Sequence, residues 1–278
     1  GAEATTITVL IFVAAQPERV LSGFDARWGR DFWAWLYRTE MEFFAAGRIL
    51  TEEEQYERYA AVQLAMNGKP VCFRLLDIGG DKGAEFFDLP CEDNPALGLR
   101  GSRLLLARGD LLNPQARALV RASSLGPVDI LYPMIVDREQ FLELKAAFQE
   151  ATADLPSGKV RHGVMFEVPS ACLQARELLD VAEFGSIGTN DLLQFLYAAD
   201  RNSPSVAEDG RFDQPVVWSL LAQIATAARE TGRTVSICGE AASQARFLPA
   251  LTKLGLTTLS VNPRLIPGLR LAAARQDS

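Results

Sequence analysis

Short apolar runs rich in β-branched and aromatic residues alternate with longer amphipathic stretches along the whole chain. The short runs predict strands at residues 8–13, 32–38, 71–77, 129–134, 163–168, 184–189, 234–238 and 259–261. Helical periodicity fills the intervals at 17–21, 51–66, 114–122, 138–151, 170–181, 215–230 and 245–254. The second of these helices opens on Thr51-x-x-Glu54, a capping box in which hydroxyl and carboxylate satisfy free N–H groups. Its acidic first turn, Glu52 to Glu54, suits the positive end of a helix dipole. Eight strands alternating with helices predict parallel pairing and a closed (β/α)8 TIM barrel. No linker of Pro, Gly and Ser and no low-complexity segment divides residues 1–278, so one domain is expected. The two longest connections between strands, 78–128 and 190–233, leave room for lids over the barrel mouth.

In such barrels chemistry collects where the strands end and the βα loops converge. Here those ends read Tyr37-Arg38-Thr39-Glu40, Arg74-Leu75-Leu76-Asp77, Glu167-Val168-Pro169, Gly188-Thr189-Asn190-Asp191 and Cys238-Gly239-Glu240. Arginine forks bind phosphate and carboxylate bidentately, and a phosphorylated carboxylic acid needs several of them. Paired carboxylates from two strands suit Mg2+, which retains waters and takes substrate oxygens. A thiol beside a carboxylate, as at Cys238 and Glu240, is expected to stay protonated and to act as a proton donor. The competing structural reading pairs Arg38 and Arg74 with Glu40 and Asp77 as internal ion pairs. Arg103, Arg108 and Arg121 are expected to be solvated or paired on helices.

Composition narrows the chemistry further. The net charge of −7 argues against broad nucleic-acid binding, so an anionic ligand needs a local arginine cluster. One histidine and four dispersed cysteines leave almost no material for a zinc site or a Ser-His-Asp triad. Cys72, Cys91 and Cys172 are expected to be inert packing residues, and His162 is placed just before the fifth strand in a structural role. Widely spaced thiols fit a reducing cytoplasm. The apolar run 9–15 is too short to cross a bilayer and lacks the flanks of a signal peptide, so no membrane association is expected.

At these same positions the sequence resembles enzyme I of the phosphoenolpyruvate:sugar phosphotransferase system, including its nitrogen-related paralogues. The segments that carry the resemblance begin with Leu36-Tyr37-Arg38-Thr39-Glu40, Phe73-Arg74-Leu75-Leu76-Asp77-Ile78-Gly79-Gly80-Asp81-Lys82 and Asn94-Pro95-Ala96-Leu97-Gly98-Leu99-Arg100. They continue with Gly163-Val164-Met165-Phe166-Glu167-Val168-Pro169, Ser186-Ile187-Gly188-Thr189-Asn190-Asp191-Leu192, Asp200-Arg201-Asn202 and Ile237-Cys238-Gly239-Glu240. The resemblance implies that Arg38, Arg74 and Arg201 grip phosphoenolpyruvate, with Asn190 and Asp191 assisting and Arg100 close by. It implies Mg2+ on Glu167 and Asp191, and Cys238 as the donor of a proton to C3 as pyruvate forms. It also implies a phosphoacceptor histidine on a separate N-terminal domain, a small histidine phosphocarrier protein beyond it, and a homodimer. The run Gly29-Arg30-Asp31-Phe32-Trp33-Ala34-Trp35 departs from the family's glycine-rich approach to its first arginine.

Three rivals remain at the level of sequence. A pyruvate phosphate dikinase or phosphoenolpyruvate synthase barrel is disfavoured by Asp77-Ile78-Gly79-Gly80-Asp81-Lys82. A Mg2+-dependent lyase on a similar barrel gives Arg201 and Cys238 no obvious task. A non-catalytic phosphoenolpyruvate-sensing or dimerisation module draws support from the two tryptophans in the second strand.

Overall fold

The computed structural model describes residues 8–13, 33–79 and 85–274. The helix expected at 17–21 and the residues Gly80, Asp81 and Lys82 lie outside them. The strands are β1 (Thr8–Val13), β2 (Trp33–Arg38), β3 (Val71–Arg74), β4 (Val128–Tyr132), β5 (Val160–Phe166), β6 (Phe184–Gly188), β7 (Thr234–Cys238) and β8 (Thr258–Val261). Their order runs from β1 to β8 around a closed barrel, the (β/α)8 architecture that the alternating pattern predicts. Helices covering parallel strands explain why β3, β4 and β6 are buried at every position rather than at alternate ones.

The chain divides into two compact units: Gly1–Phe12, Ile135–Arg138 and Val164–Ser278 form the first, and Val13–Met134 with Glu139–Gly163 the second. In the second unit β2, β3 and β4 pair in parallel, with Arg38 opposite Arg74 and Arg74 opposite Leu131. Around them lie α1 (Glu40–Ala46), α2 (Glu52–Ala65), α3 (Ser102–Ala107), α4 (Gly109–Ala122) and α5 (Arg138–Ala151). Helix α2 lies mainly against α4, and Tyr37, Tyr59 and Phe73 form an aromatic cluster with ring centroids 5.2–6.4 Å apart. The capping box at Thr51 and Glu54 forms as expected.

In the first unit β6 pairs with β7, β7 with β8, and β8 with β1, all parallel. Its helices are α6 (Pro169–Leu173), α7 (Ala175–Val181), α8 (Thr189–Tyr197), α9 (Pro215–Thr231), α10 (Leu248–Leu254) and α11 (Ile266–Ala274). Helix α9 lies against α7 and α6. Among the described residues no helix is long and apolar enough to cross a membrane.

Several boundaries move, each for a local reason. The third strand ends at Arg74 rather than at 77, because the Leu76 N–H donates to the Gln115 side chain (2.9 Å) instead of to a neighbouring strand. The fifth strand starts at Val160 and ends at Phe166, before Pro169 occupies the first turn of α6. The helix expected at 170–181 breaks at Gln174, whose backbone is non-helical. Helix α4 begins at Gly109, so Pro114 lies inside it rather than at its start.

Candidate active site

In the second unit the parallel register sets Arg38 and Arg74 side by side at the ends of β2 and β3. Glu40, fully buried just past β2, accepts from Arg38 Nε at 2.7 Å and from Arg74 Nη2 at 2.5 Å. Asp77, also fully buried, takes Arg74 Nη2 at 3.3 Å and Arg100 Nη2 at 3.1 Å. These side chains form one chain of charge, three positive and two negative, running from Arg38 through to Arg100. Arg100 is only 1% exposed, so its guanidinium is held in a medium where such pairs interact strongly. The ion pairs with Glu40 and Asp77 that the structural reading anticipated are therefore present, and they fix the three arginines together.

The backbone is shaped to permit this. Gly79 has φ +105°, and a Cβ there would come within 2.6 Å of Arg100 Cβ, so the loop closes only on glycine. Thr39 Oγ1 donates to the Arg74 carbonyl (2.8 Å), and Gln115 Nε2 donates to Thr39 Oγ1 (3.0 Å). Gln115 thus ties the ends of β2 and β3 to α4. Nothing in the sequence marks it, since a glutamine in a helix carries no sign of being fully buried.

In the first unit Glu167 lies one residue past β5 and is fully buried. A Cβ at Gly188 would meet Glu167 Oε2 at 2.8 Å and Met165 Cε at 2.7 Å, so that glycine makes room for the carboxylate. Asp191 sits in the first turn of α8, three residues further on, with Arg201 Nη1 3.6 Å from its Oδ2. Asn190 Oδ1 accepts from the Glu240 N–H at 3.1 Å, and Thr189 Oγ1 donates to the Cys238 carbonyl at 2.9 Å. The ends of β6 and β7 are thereby laced together.

Cys238 ends β7 and is buried. Its thiol donates to the Ile187 carbonyl at 3.3 Å and accepts from Ser186 Oγ at 3.8 Å. Glu240, whose nearness was expected to keep the thiol protonated, is exposed two residues further on, while these two hydrogen bonds run to a carbonyl and a hydroxyl. Among the described residues no group of three or more His, Cys, Asp and Glu could hold a metal ion. Glu167 and Asp191 offer oxygen donors, the ligand type that Mg2+ takes together with substrate oxygens and water.

The remaining expectations divide. His162 lies inside β5 rather than before it, buried, with Nδ1 2.8 Å from the Tyr132 hydroxyl. Burial, and then the charge of Lys145, push its pKa down to about 4. Cys72 and Cys172 are buried, and burial with the charge of Glu167 pushes the Cys172 thiol up to about 12. Cys91 is exposed, which corrects its assignment as a packing residue: it lies in the loop 88–94, away from any strand. Arg108 pairs with Asp110, Arg121 with Glu52 and Glu53, and Arg103 donates to the Leu97 carbonyl.

A closed parallel barrel with arginines, carboxylates and a thiol at its strand ends defines the class. The fold is shared with a citrate lyase from Burkholderia xenovorans, at a TM-score of 0.61, 17% identity, and coverage of 97% of this chain and 77% of that one. Residues 35–278 match the family model described as PEP-utilising enzyme, PEP-binding domain, and the chain belongs to that family. It is similar to the multiphosphoryl transfer protein of Escherichia coli, 39% identical over 249 residues, covering 87% of this chain and 30% of that protein. It is similar also to the phosphoenolpyruvate-protein phosphotransferase of Staphylococcus carnosus, 40% identical over 233 residues, covering 82% of this chain and 41% of that protein. The chain therefore spans less than half the length of these relatives.

Proposed function

We propose that this chain is the phosphoenolpyruvate-binding part of an enzyme I-type phosphotransferase, with residues 1–278 acting as one domain. The observation that carries the reading is the pairing of Arg38 with Arg74 at adjacent strand ends, in one buried network with Arg100. Guanidinium groups fixed this way suit the phosphate and carboxylate of phosphoenolpyruvate, with Arg201 and Asn190 as further ligands. Glu167 and Asp191 would hold Mg2+, which would supply Lewis-acid stabilisation of negative charge when bound.

The arginines orient the substrate and neutralise charge on the moving phosphoryl group. The bond between phosphorus and the enol oxygen breaks, and a bond to a histidine nitrogen on a separate N-terminal domain forms. Cys238 then gives its proton to C3 of the enolate, and pyruvate results. From that histidine the phosphoryl group passes to a small histidine phosphocarrier protein. We place this cycle in the cytoplasm and in a homodimer. The names of the relatives support a phosphotransferase, as does the order in which the strand-end residues follow one another along this chain.

Labelled phosphoenolpyruvate tests the proposal. The chain alone should form no stable phosphoprotein, because His162 is buried against Tyr132. Addition of a separately made N-terminal phosphohistidine domain from a relative should restore transfer. Efficient labelling of His162 would contradict the assignment, and so would a failure of transfer to the added domain by a chain that binds phosphoenolpyruvate.

A further inference from the structure

Three serines share one face of the β6–β7–β8 sheet with Cys238. Ser186 and Ser236 stand opposite each other in the ladder, and Cys238 stands opposite Ser260. Ser236 and Cys238 are two residues apart on one strand, so their side chains point the same way. Ser236 Oγ donates to Ser186 Oγ at 3.0 Å, and Ser186 Oγ donates in turn to Cys238 Sγ at 3.8 Å. All three serines are buried, and Ser260 Oγ has no hydrogen-bond partner among the described residues. Its register partner is the thiol, and side chains directly opposite in a sheet lie within reach of one another.

We infer that Ser186, Ser236 and Ser260 form a hydroxyl cradle that stabilises the thiolate left when Cys238 gives up its proton. The inference rests on the proposed role of Cys238 as the proton donor. In that step the S–H bond breaks, the C3–H bond forms, and the electron pair stays on sulfur. The thiol is held by the Ile187 carbonyl, which accepts its proton's hydrogen bond. The thiolate is a stronger acceptor and draws donors from both flanks: Ser186, polarised by Ser236 behind it, and Ser260 after a change of its χ1 rotamer. A buried hydroxyl without a partner is costly in the resting state, and donors aimed at charge that develops during reaction are one reason to retain it. The serines are positioning residues, since they act through the sulfur.

Ionisable groups just past the neighbouring strand ends include Glu167 after β5, Asp191 on α8 with its partner Arg201, and Glu240 beyond β7. The described strands β8 and β1 carry none. Replacing an uncharged serine leaves every one of these in place, so a shift on substitution reports the hydrogen bond itself.

The test is the ultraviolet absorbance of the Cys238 thiolate against pH, taken as the difference from Cys238→Ala, which cancels the other three cysteines. Ser186→Ala should raise the midpoint by about one pH unit or more, as expected for loss of a hydrogen bond to a charged acceptor. Ser260→Ala and Ser236→Ala should move it the same way by less, and Ser186→Thr should restore it. Ser236→Ala touches the thiol only through Ser186, so it serves if Ser186→Ala fails to fold. Unmoved midpoints in folded variants would overturn the cradle. Exchange of pyruvate methyl hydrogens with deuterated water separates the two ideas: full exchange by Cys238→Ala would remove the thiol as proton donor, whatever the midpoints show.

Discussion

In the second unit three guanidinium groups are threaded through two fully buried carboxylates, Glu40 and Asp77, and charge is held by charge. In the first unit the Cys238 thiol is held by a hydroxyl and a carbonyl, and Glu167 is accommodated by the missing side chain of Gly188. The ion pair of Arg201 with Asp191 in that unit is looser, at 3.6 Å, and partly exposed. The difference has a physical sense. Buried arginines must be made tolerable in a poorly solvated setting, which takes counter-charges built into the fold. The hydrogen bonds of the thiol with Ser186 and Ile187 run instead to uncharged groups, which place no counter-charge on it.

The largest expected difference is therefore in stability. Asp77→Ala leaves Arg74 and Arg100 buried without that counter-charge, and should cost about 3–5 kcal/mol in urea unfolding. Asp191→Asn, at a looser and more exposed pair, should cost about 1 kcal/mol or less. Equal losses would erase the contrast between the two units.

Binding sharpens it next. Arg74→Ala should weaken phosphoenolpyruvate binding by about 2–5 kcal/mol in calorimetry, since a charge-assisted pair is lost in a buried setting. Arg121→Ala should change it little, because Arg121 is occupied by Glu52 and Glu53 on α2. Similar losses at both positions would mean that the site is misplaced.

A smaller effect is confined to the second unit. The pKa of His162 is lowered from its ordinary value to about 4 by burial, so the unfolded chain takes up its proton first as pH falls. The stabilising contribution is complete above the unfolded value and is lost as pH drops through the interval down to about 4. Relative to His162→Gln, the wild-type chain should gain on the order of 1–3 kcal/mol as pH rises across that interval. A pH profile parallel to that of the variant would remove this contribution.

Much of this architecture is legible in the sequence, because strands buried on both faces by covering helices read as short continuous apolar runs. The segments around the strand ends carry Arg38, Arg74, Glu167 and Cys238, and Asp191 follows β6 in the first turn of α8. What escapes is local. The run Thr189–Tyr197 is a helix that starts directly after Gly188 without a side-chain cap, so nothing in its first residues announces it. Helix α1 is only seven residues long, and two turns give too little periodicity to read. Gln115, Ser186 and Ser236 are ordinary polar residues whose importance comes from burial and from partners far away in the chain, 76 residues in the case of Gln115 and Thr39. Periodicity reports which face is buried, not which polar atom meets which.

The central claim, a metal-assisted phosphoenolpyruvate site at the strand ends, is tested most directly by calorimetry of phosphoenolpyruvate binding, with Mg2+ and with a chelator, on the wild-type chain and on Glu167→Gln. Binding to the wild type should be tighter with Mg2+, and Glu167→Gln should show nearly equal affinities in the two conditions. Equal wild-type affinity with and without the metal would contradict the claim.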